Sequence, residues 1–319
     1  MHIPDGFVNI DVSAATAVLS AGGLGASIAV LNKRLQPSRV PLMGLSAAFI
    51  FAAQMLNFPV MGGTSGHLLG AALVAMLLGP AAATVVMSSV VILQCLIFGD
   101  GGLVSLGANL FNMAIVAPWT AYLVFSVFRR IAGLGTRARV ATAAFGAWCS
   151  IVAASFACAI ELSVSGSAPA GIVVPAMLFV HMVIGAAEAL VTASAIYFLS
   201  RHKPELFGVK PKVEATAGRR FAWAGITAGV LLLVINTPLA STLPDGLESV
   251  AESLGFAEKS AEAAPATAIM AGYTIPGFIN EYLATILAAA VGTMLAFALS
   301  LVLARVLVAP AKDKRAINR

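Results

Sequence analysis

The chain has 319 residues, of which 60% are hydrophobic and only 10% charged, with a mean hydropathy of +0.95. That composition excludes a soluble globular domain and predicts an integral membrane protein. A net charge of +5 does not point to nucleic acid, since basic loops orient a membrane chain, and three cysteines without CxxC spacing, Cys95, Cys149 and Cys158, indicate neither a disulfide framework nor a zinc knuckle.

The chain opens with Met1-His2-Ile3-Pro4-Asp5-Gly6-Phe7. Pro4-Asp5-Gly6 and Asp11 stand where a secretory signal needs basic residues, so a free mature terminus is expected. With Met1 as the true start, its α-amine, the His2 peptide nitrogen and the His2 imidazole form adjacent chelate rings around one metal ion. His67 follows Gly62, Gly63 and Gly66 and offers a fourth nitrogen. Four nitrogens in a plane suit Ni²⁺, Cu²⁺ or low-spin Co²⁺ better than tetrahedral Zn²⁺. A histidine at the second residue is by itself usually incidental. Here Pro4-Asp5-Gly6 supplies a turn that folds the terminus back, and Phe7, Val8 and Ile10 supply anchors among helices.

About twenty apolar residues are needed to cross the hydrocarbon core. On that criterion spans are predicted at 12–31, 40–60, 67–79, 81–98, 103–128, 140–163, 172–199, 221–239 and 283–308. Gly79-Pro80 interrupts one apolar run, and the short piece before it reads as a half-length or re-entrant helix. The expected fold class is all-α: a polytopic membrane protein with a seven-helix core (1–200), a cytoplasmic linker (201–220) and a two-helix accessory module (221–319) with an outer segment at 240–282. With the N-terminus outside, eighteen of the nineteen Lys and Arg residues fall on the cytoplasmic side and only Lys259 falls outside, as the positive-inside rule requires. Asp5, Asp11, Asp100, Glu161, Asp245, Glu248, Glu252, Glu258, Glu262 and Glu281 fall on the outer face, where they would concentrate cations. The Pro-Asp-Gly turn of residues 4–6 recurs at 244–246, on the same face.

Several intramembrane polar groups have a structural reading and a functional one. His181 and Glu188 share one face of the seventh span, and a hydrogen bond between helices is the leading reading for them. Asn57, Asn109, Asn112 and Gln54 are amides of the kind that bond across helices, and Gly102, Gly107 and Ala108 allow close helix approach. His202 lies among basic residues and reads as solvated, and the eleven methionines read as packing. No GxxxxGK[ST], HExxH or GxSxG occurs, so an ATP-binding loop and the commonest hydrolase signatures are missing.

Met-His-Ile-Pro-Asp-Gly-Phe at 1–7, Gly-Gly-Thr-Ser-Gly-His-Leu at 62–68, Leu-Gly-Pro at 78–80, Gly-Asp-Gly-Gly at 99–102, Leu-Gly-Ala-Asn at 106–109 and the block at 181–192 together resemble the substrate-binding (S) component of cobalt and nickel energy-coupling-factor transporters. Residues 221–319, with Pro-Asp-Gly-Leu-Glu at 244–248, resemble the small accessory component of these systems. The resemblance implies a non-enzymatic subunit in a prokaryotic cytoplasmic membrane that binds Ni²⁺ or Co²⁺ through Met1, His2 and His67, nickel being favoured. It also implies partners: a transmembrane coupling subunit and a pair of cytoplasmic ATPases. Two rival readings are a self-sufficient channel or proton-coupled carrier relaying through Glu188, and an intramembrane enzyme built on His181 and Glu188.

Overall fold

The computed structural model describes residues 1–55, 57–61, 63–133, 135–207, 241, 243–262, 268–275, 277–278 and 280–307. The expected span at 221–239 and residues 208–220 of the expected linker lie outside the described residues. Among the described residues six helical segments are long and apolar enough to cross a membrane. The protein is therefore a mostly helical, multi-pass membrane protein.

Helix α1 (Ile10–Arg34) starts where the Asn9 side chain accepts a hydrogen bond from the Val12 amide, and it carries Lys33 and Arg34 in its last turn. Its buried face is made of Ser13, Thr16, Ser20, Ser27 and Leu31. Ser20 is 3% exposed and Val18 72%, so small polar residues face the bundle and large apolar ones face outward. This inverts the soluble pattern, as expected for a helix solvated by lipid.

Helix α2 (Val40–Gln54) is shorter than the expected span 40–60. After it the chain forms a hairpin, β1 (Asn57–Val60) against β2 (Thr64–His67), with Asn57 opposite His67 and Val60 opposite Thr64. Pro59 lacks the N–H that a helix continuing through it would use, and Gly63 (φ 74°) makes the turn. The expected third span 67–79 is likewise reduced to α3 (Ala71–Leu78), whose eight residues are about 12 Å long, too short to cross. Gly79 (φ 88°) ends α3 and Pro80 opens α4 (Pro80–Leu93), as the sequence break predicted.

Helix α4 runs on through a π-helical turn (Gln94–Phe98) and is buried almost all round, because α1, α2, α3 and α6 all pack against it. Helix α5 (Leu106–Leu110), a second π-helical turn (Phe111–Val116) and α6 (Ala117–Ala132) form one continuous span, the π turn standing just before Pro118. Helices α7 (Thr136–Val164) and α8 (Ala170–His202) pack along each other, with Gly185 against Trp148. Short helices α9 (Gly246–Leu254) and α10 (Glu258–Glu262) precede α11 (Glu281–Leu307).

Helix α11 docks on α2 and α4. It buries Ala284, Ala288, Gly292, Ala296, Ser300 and Ala304, one small residue every four positions. A Cβ on Gly292 would stand 2.1 Å from Cζ of Phe51, so the approach depends on that glycine.

Helices α1 and α5 meet as closely. A Cβ on Gly107 would lie 2.6 Å from the backbone of Ala17, and Ser20 Oγ donates to the Gly107 carbonyl at 2.8 Å. Backbone cannot move aside as a side-chain end can, so Gly107→Ala should destabilise the protein by about 1–3 kcal/mol. The measurement is the unfolding temperature in detergent, which should drop; an unchanged temperature would show that this contact relaxes freely.

Candidate metal-handling site

The N-terminal segment is inserted into the protein, with Gly6 alone among its first eight residues exposed. Met1 is 6% exposed, and Ile3, Phe7 and Val8 are buried, whereas Ile10 stays exposed and does not serve as the expected anchor. Asn109 holds Ile3 at both ends: Ile3 N–H donates to Oδ1 at 2.7 Å, and Nδ2 donates to the Ile3 carbonyl at 3.0 Å. Gly102 N–H also donates to that carbonyl, at 2.9 Å. The Asp5 carboxylate accepts from the amides of Leu103 and Ser105, both at 3.0 Å. Gly102 is required here, since a Cβ on it would lie 2.0 Å from Asp5 Oδ1.

His67 ends β2, and Glu188 of α8 fixes the backbone just beyond it. The two Glu188 oxygens accept from Leu69 N–H and Gly70 N–H, each at 2.8 Å, at the N-terminus of α3. Glu188 is thus a structural link between chain segments, as its leading reading held. Each of its oxygens accepts one backbone N–H.

A second segment covers the terminus. Ser65 N–H donates to the Pro244 carbonyl at 2.8 Å, Ser65 Oγ donates to the Leu243 carbonyl at 2.7 Å, and Ser241 N–H donates to the Asn57 carbonyl at 2.8 Å. Asp245 caps α9 through Oδ1, which accepts from Leu247 N–H (2.7 Å) and Glu248 N–H (2.9 Å), while Glu248 accepts in return from Asp245 N–H. Leu247, Val250, Ala251 and Phe256 share an apolar cluster with Ile3, Phe7 and Val8. Further along, Met270 N–H donates to the Ile97 carbonyl at 2.8 Å, and the Tyr273 hydroxyl donates to Asp100.

These elements bring the polar groups together. The Met1 ammonium donates to Asp245 Oδ2 at 2.6 Å and lies 3.0 Å from His67 Nε2. His67 Nδ1 lies 3.3 Å from the Leu68 carbonyl, a partner for the proton in the tautomer whose Nε2 accepts from the Met1 ammonium. His2 Nδ1 lies 3.3 Å from the Asp100 carbonyl and 3.4 Å from Asp100 Oδ1, and His2 Nε2 is buried without a partner. The His2 and His67 ring centroids are 5.4 Å apart. Met1, His67, His181, Asp245 and Gly246 line a cavity of about 10 Å³, room for roughly one water-sized particle.

Burial pushes the His67 imidazole down to about 3, and the adjacent Met1 ammonium and His2 add to this. Burial also lowers His2. Burial alone would raise Asp245, but the Met1 ammonium and the other hydrogen-bonding groups around it hold the carboxyl below the usual carboxylate range.

The expected square of four nitrogens is corrected by this geometry. Among the described residues no group of three or more His, Cys, Asp or Glu side chains is arranged to hold a metal ion. The physical reason lies in the competing partners: the amine is drawn to Asp245, and the His2 Nδ1 expected to chelate is turned to Asp100. Met1 and His67 are brought together, with His2 beside them. His181 reaches the same cavity, its Nδ1 held by the Met177 carbonyl at 2.8 Å, while Glu188 bonds the amides of Leu69 and Gly70. The sequence reading did not assign Asp245 or Asp100 to the site. The signals available were the outer-face placement of both acids and the Pro-Asp-Gly turn recurring at 244–246 on the face of the N-terminus, and neither identifies an ion-pair partner.

Comparison with known proteins places this geometry in context. Residues 2–206 match the family described as cobalt uptake substrate-specific transmembrane region, and residues 219–309 match the PDGLE domain. A candidate fused nickel transport protein, NikMN, of Archaeoglobus fulgidus is 35% identical over 309 residues, 96% of this chain and 98% of its own. The fused nickel transport protein NikMN of Rhodobacter capsulatus is 36% identical over 256 residues, 76% of this chain and 74% of its own. A crystal structure of a truncated transition metal transporter, 33% identical, superposes with a TM-score of 0.58 over 63% of this chain and 99% of its own.

Two measurements test the site's construction. Gln at position 188 keeps one acceptor oxygen and turns an NH₂ toward a backbone N–H, so Glu188→Gln should cost about 1–3 kcal/mol and speed hydrogen exchange at Leu69 and Gly70; unchanged exchange would remove Glu188 from the support of His67. The pH dependence has a definite sign. His67 is neutral when folded and titrates near 6.5 when unfolded, so the unfolded chain binds more protons as pH falls from about 6.5 toward about 3. The depressed Asp245 acts the same way, its contribution being present above the usual carboxylate range and lost as pH falls through its folded value. Protection of the Ile3 amide should therefore weaken with acidification through that window, after correction for intrinsic exchange; constant protection would contradict the burial of a neutral His67.

Proposed function

The chain belongs to the family of cobalt uptake substrate-specific transmembrane regions, followed by a PDGLE domain, and from that premise we propose that it is the cargo-contacting subunit of a transition-metal uptake system, with a cation of the nickel and cobalt class as its substrate. The observation that carries this reading is the buried N-terminal amine 3.0 Å from His67 Nε2 beside a cavity sized for one small particle. Amine and imidazole nitrogens favour late transition metals over Mg²⁺ and Ca²⁺, which take oxygen. Met1, His2 and His67 are the residues that meet the cation.

The charge pattern supports a terminus on the outer face, with the basic loops in the cytoplasm. No phosphate-binding loop is present, so energy comes from partners: a transmembrane coupling subunit and two cytoplasmic ATPases. Residues 1–200 form the metal-handling core and residues 221–319 the accessory module. Its described part covers the site, which supports a role in controlling access.

The test is Ni²⁺ and Co²⁺ binding by the native chain, by a chain with one extra residue before Met1, and by His67→Ala. Extension moves the amine and His67→Ala removes the imidazole, so each should weaken binding by roughly tenfold or more. Unchanged binding in both would place the cation elsewhere. In liposomes the chain alone should not accumulate metal; ATP-independent accumulation would favour a self-sufficient carrier.

A further inference from the structure

The Met1 amine makes its shortest contact with a carboxylate 244 residues away in the chain. That carboxylate is rigidly aimed. Asp245 Oδ1 is committed to capping α9, the preceding residues are bonded to Ser65 of the hairpin, and only Oδ2 faces the amine, at 2.6 Å. The contact is partly buried, with the Met1 side 5% and the Asp245 side chain 14% exposed. An ammonium that donates to a carboxylate has no lone pair for a cation, so one nitrogen cannot do both.

We infer that Asp245 is a displaceable lock on the N-terminal amine: the Met1–Asp245 ion pair and cation capture exclude each other, and the lock sets how tightly a cation that uses the amine is held. The inference rests on the reading of Met1 and His67 as cargo contacts. Asp245 is on this account a competitor of the cation for the amine and not one of its contacts. A cation with strong nitrogen affinity gains enough from amine and imidazole to displace both the carboxylate and one ammonium proton, which is released to solvent. Mg²⁺, which prefers oxygen and dehydrates reluctantly, does not. The accessory module thereby contributes an affinity-determining residue to a site otherwise built from the first part of the chain.

The test uses the full-length chain with its native terminus and Ni²⁺ alone as probe. Asn caps helices as well as Asp and has the same size, so Asp245→Asn keeps α9 while removing the charge. Ni²⁺ should bind the variant about tenfold more tightly, the loss of one charge-assisted hydrogen bond. An amine-reactive ester should also label the Met1 amine faster than in the parent chain. Asp245→Ser, which also caps, should behave alike. Weaker Ni²⁺ binding in both variants would make Asp245 a cation contact and overturn the lock. Unchanged binding with unchanged labelling would show that the ion pair restrains nothing, and would also overturn it. His67→Ala measured in parallel separates the two claims: if it leaves Ni²⁺ binding intact, the assignment of the cargo site fails, whereas if it abolishes binding while Asp245→Asn weakens it, only the lock fails.

Discussion

A charged amine taken out of water must be paired, or its burial costs more than packing returns. Met1 is 6% exposed, and its ammonium meets that requirement through Asp245 Oδ2 and His67 Nε2. Much of the surrounding structure follows from placing those two partners. His67 must stand at the end of a strand whose backbone is fixed, and Glu188 fixes it by accepting from the next two amides. Asp245 must reach the same point from the far end of the chain, and the capping box of α9 together with Ser65 brings it there. The terminus itself is held by Asn109 and Asp5, each satisfying backbone groups that insertion would otherwise leave unpaired.

The fold can be seen as the set of departures from simple spanning helices that this arrangement needs. Helix α2 stops at Gln54 so that a hairpin can carry His67 inward, and α3 is only eight residues long because it begins beneath that hairpin. The apolar sequence continues through Gly79-Pro80, but the backbone breaks and restarts there as α4, which opens the most enclosed of the membrane-length segments among the described residues. Small residues let these irregular parts sit close: Gly107 against α1, Gly102 against Asp5, and the six-residue stripe of α11 against α2. Each is a place where a side chain would occupy the neighbour's volume.

The sequence made the membrane class, the long helices and the break at Gly79-Pro80 legible, because hydropathy, length and backbone chemistry are local properties. His2 and His67 stood out because histidine is rare in this chain and both flank turn-forming residues. The hairpin was hidden by its composition, since Asn57-Phe58-Pro59-Val60 continues the apolar run of α2 and only Pro59 argues against a helix. The planar nitrogen set was the natural inference from ligand chemistry, yet it weighed the donors without the acids that compete for them. Asp245 and Asp100 become partners of Met1 and His2 only in three dimensions, across separations that no local pattern encodes. Asn109 was legible as an amide that bonds across segments, but not that its partner is the backbone of Ile3.

The most direct measurement is the position of a bound cation in an experimental structure of the full chain grown with Ni²⁺, read from the anomalous scattering of the metal. The account predicts a peak within bonding distance of both the Met1 amine nitrogen and His67 Nε2, with the Asp245 carboxylate moved off the amine. A peak at His181, at Glu161 or on the outer acidic loops, with the Met1–Asp245 pair still intact, would contradict it.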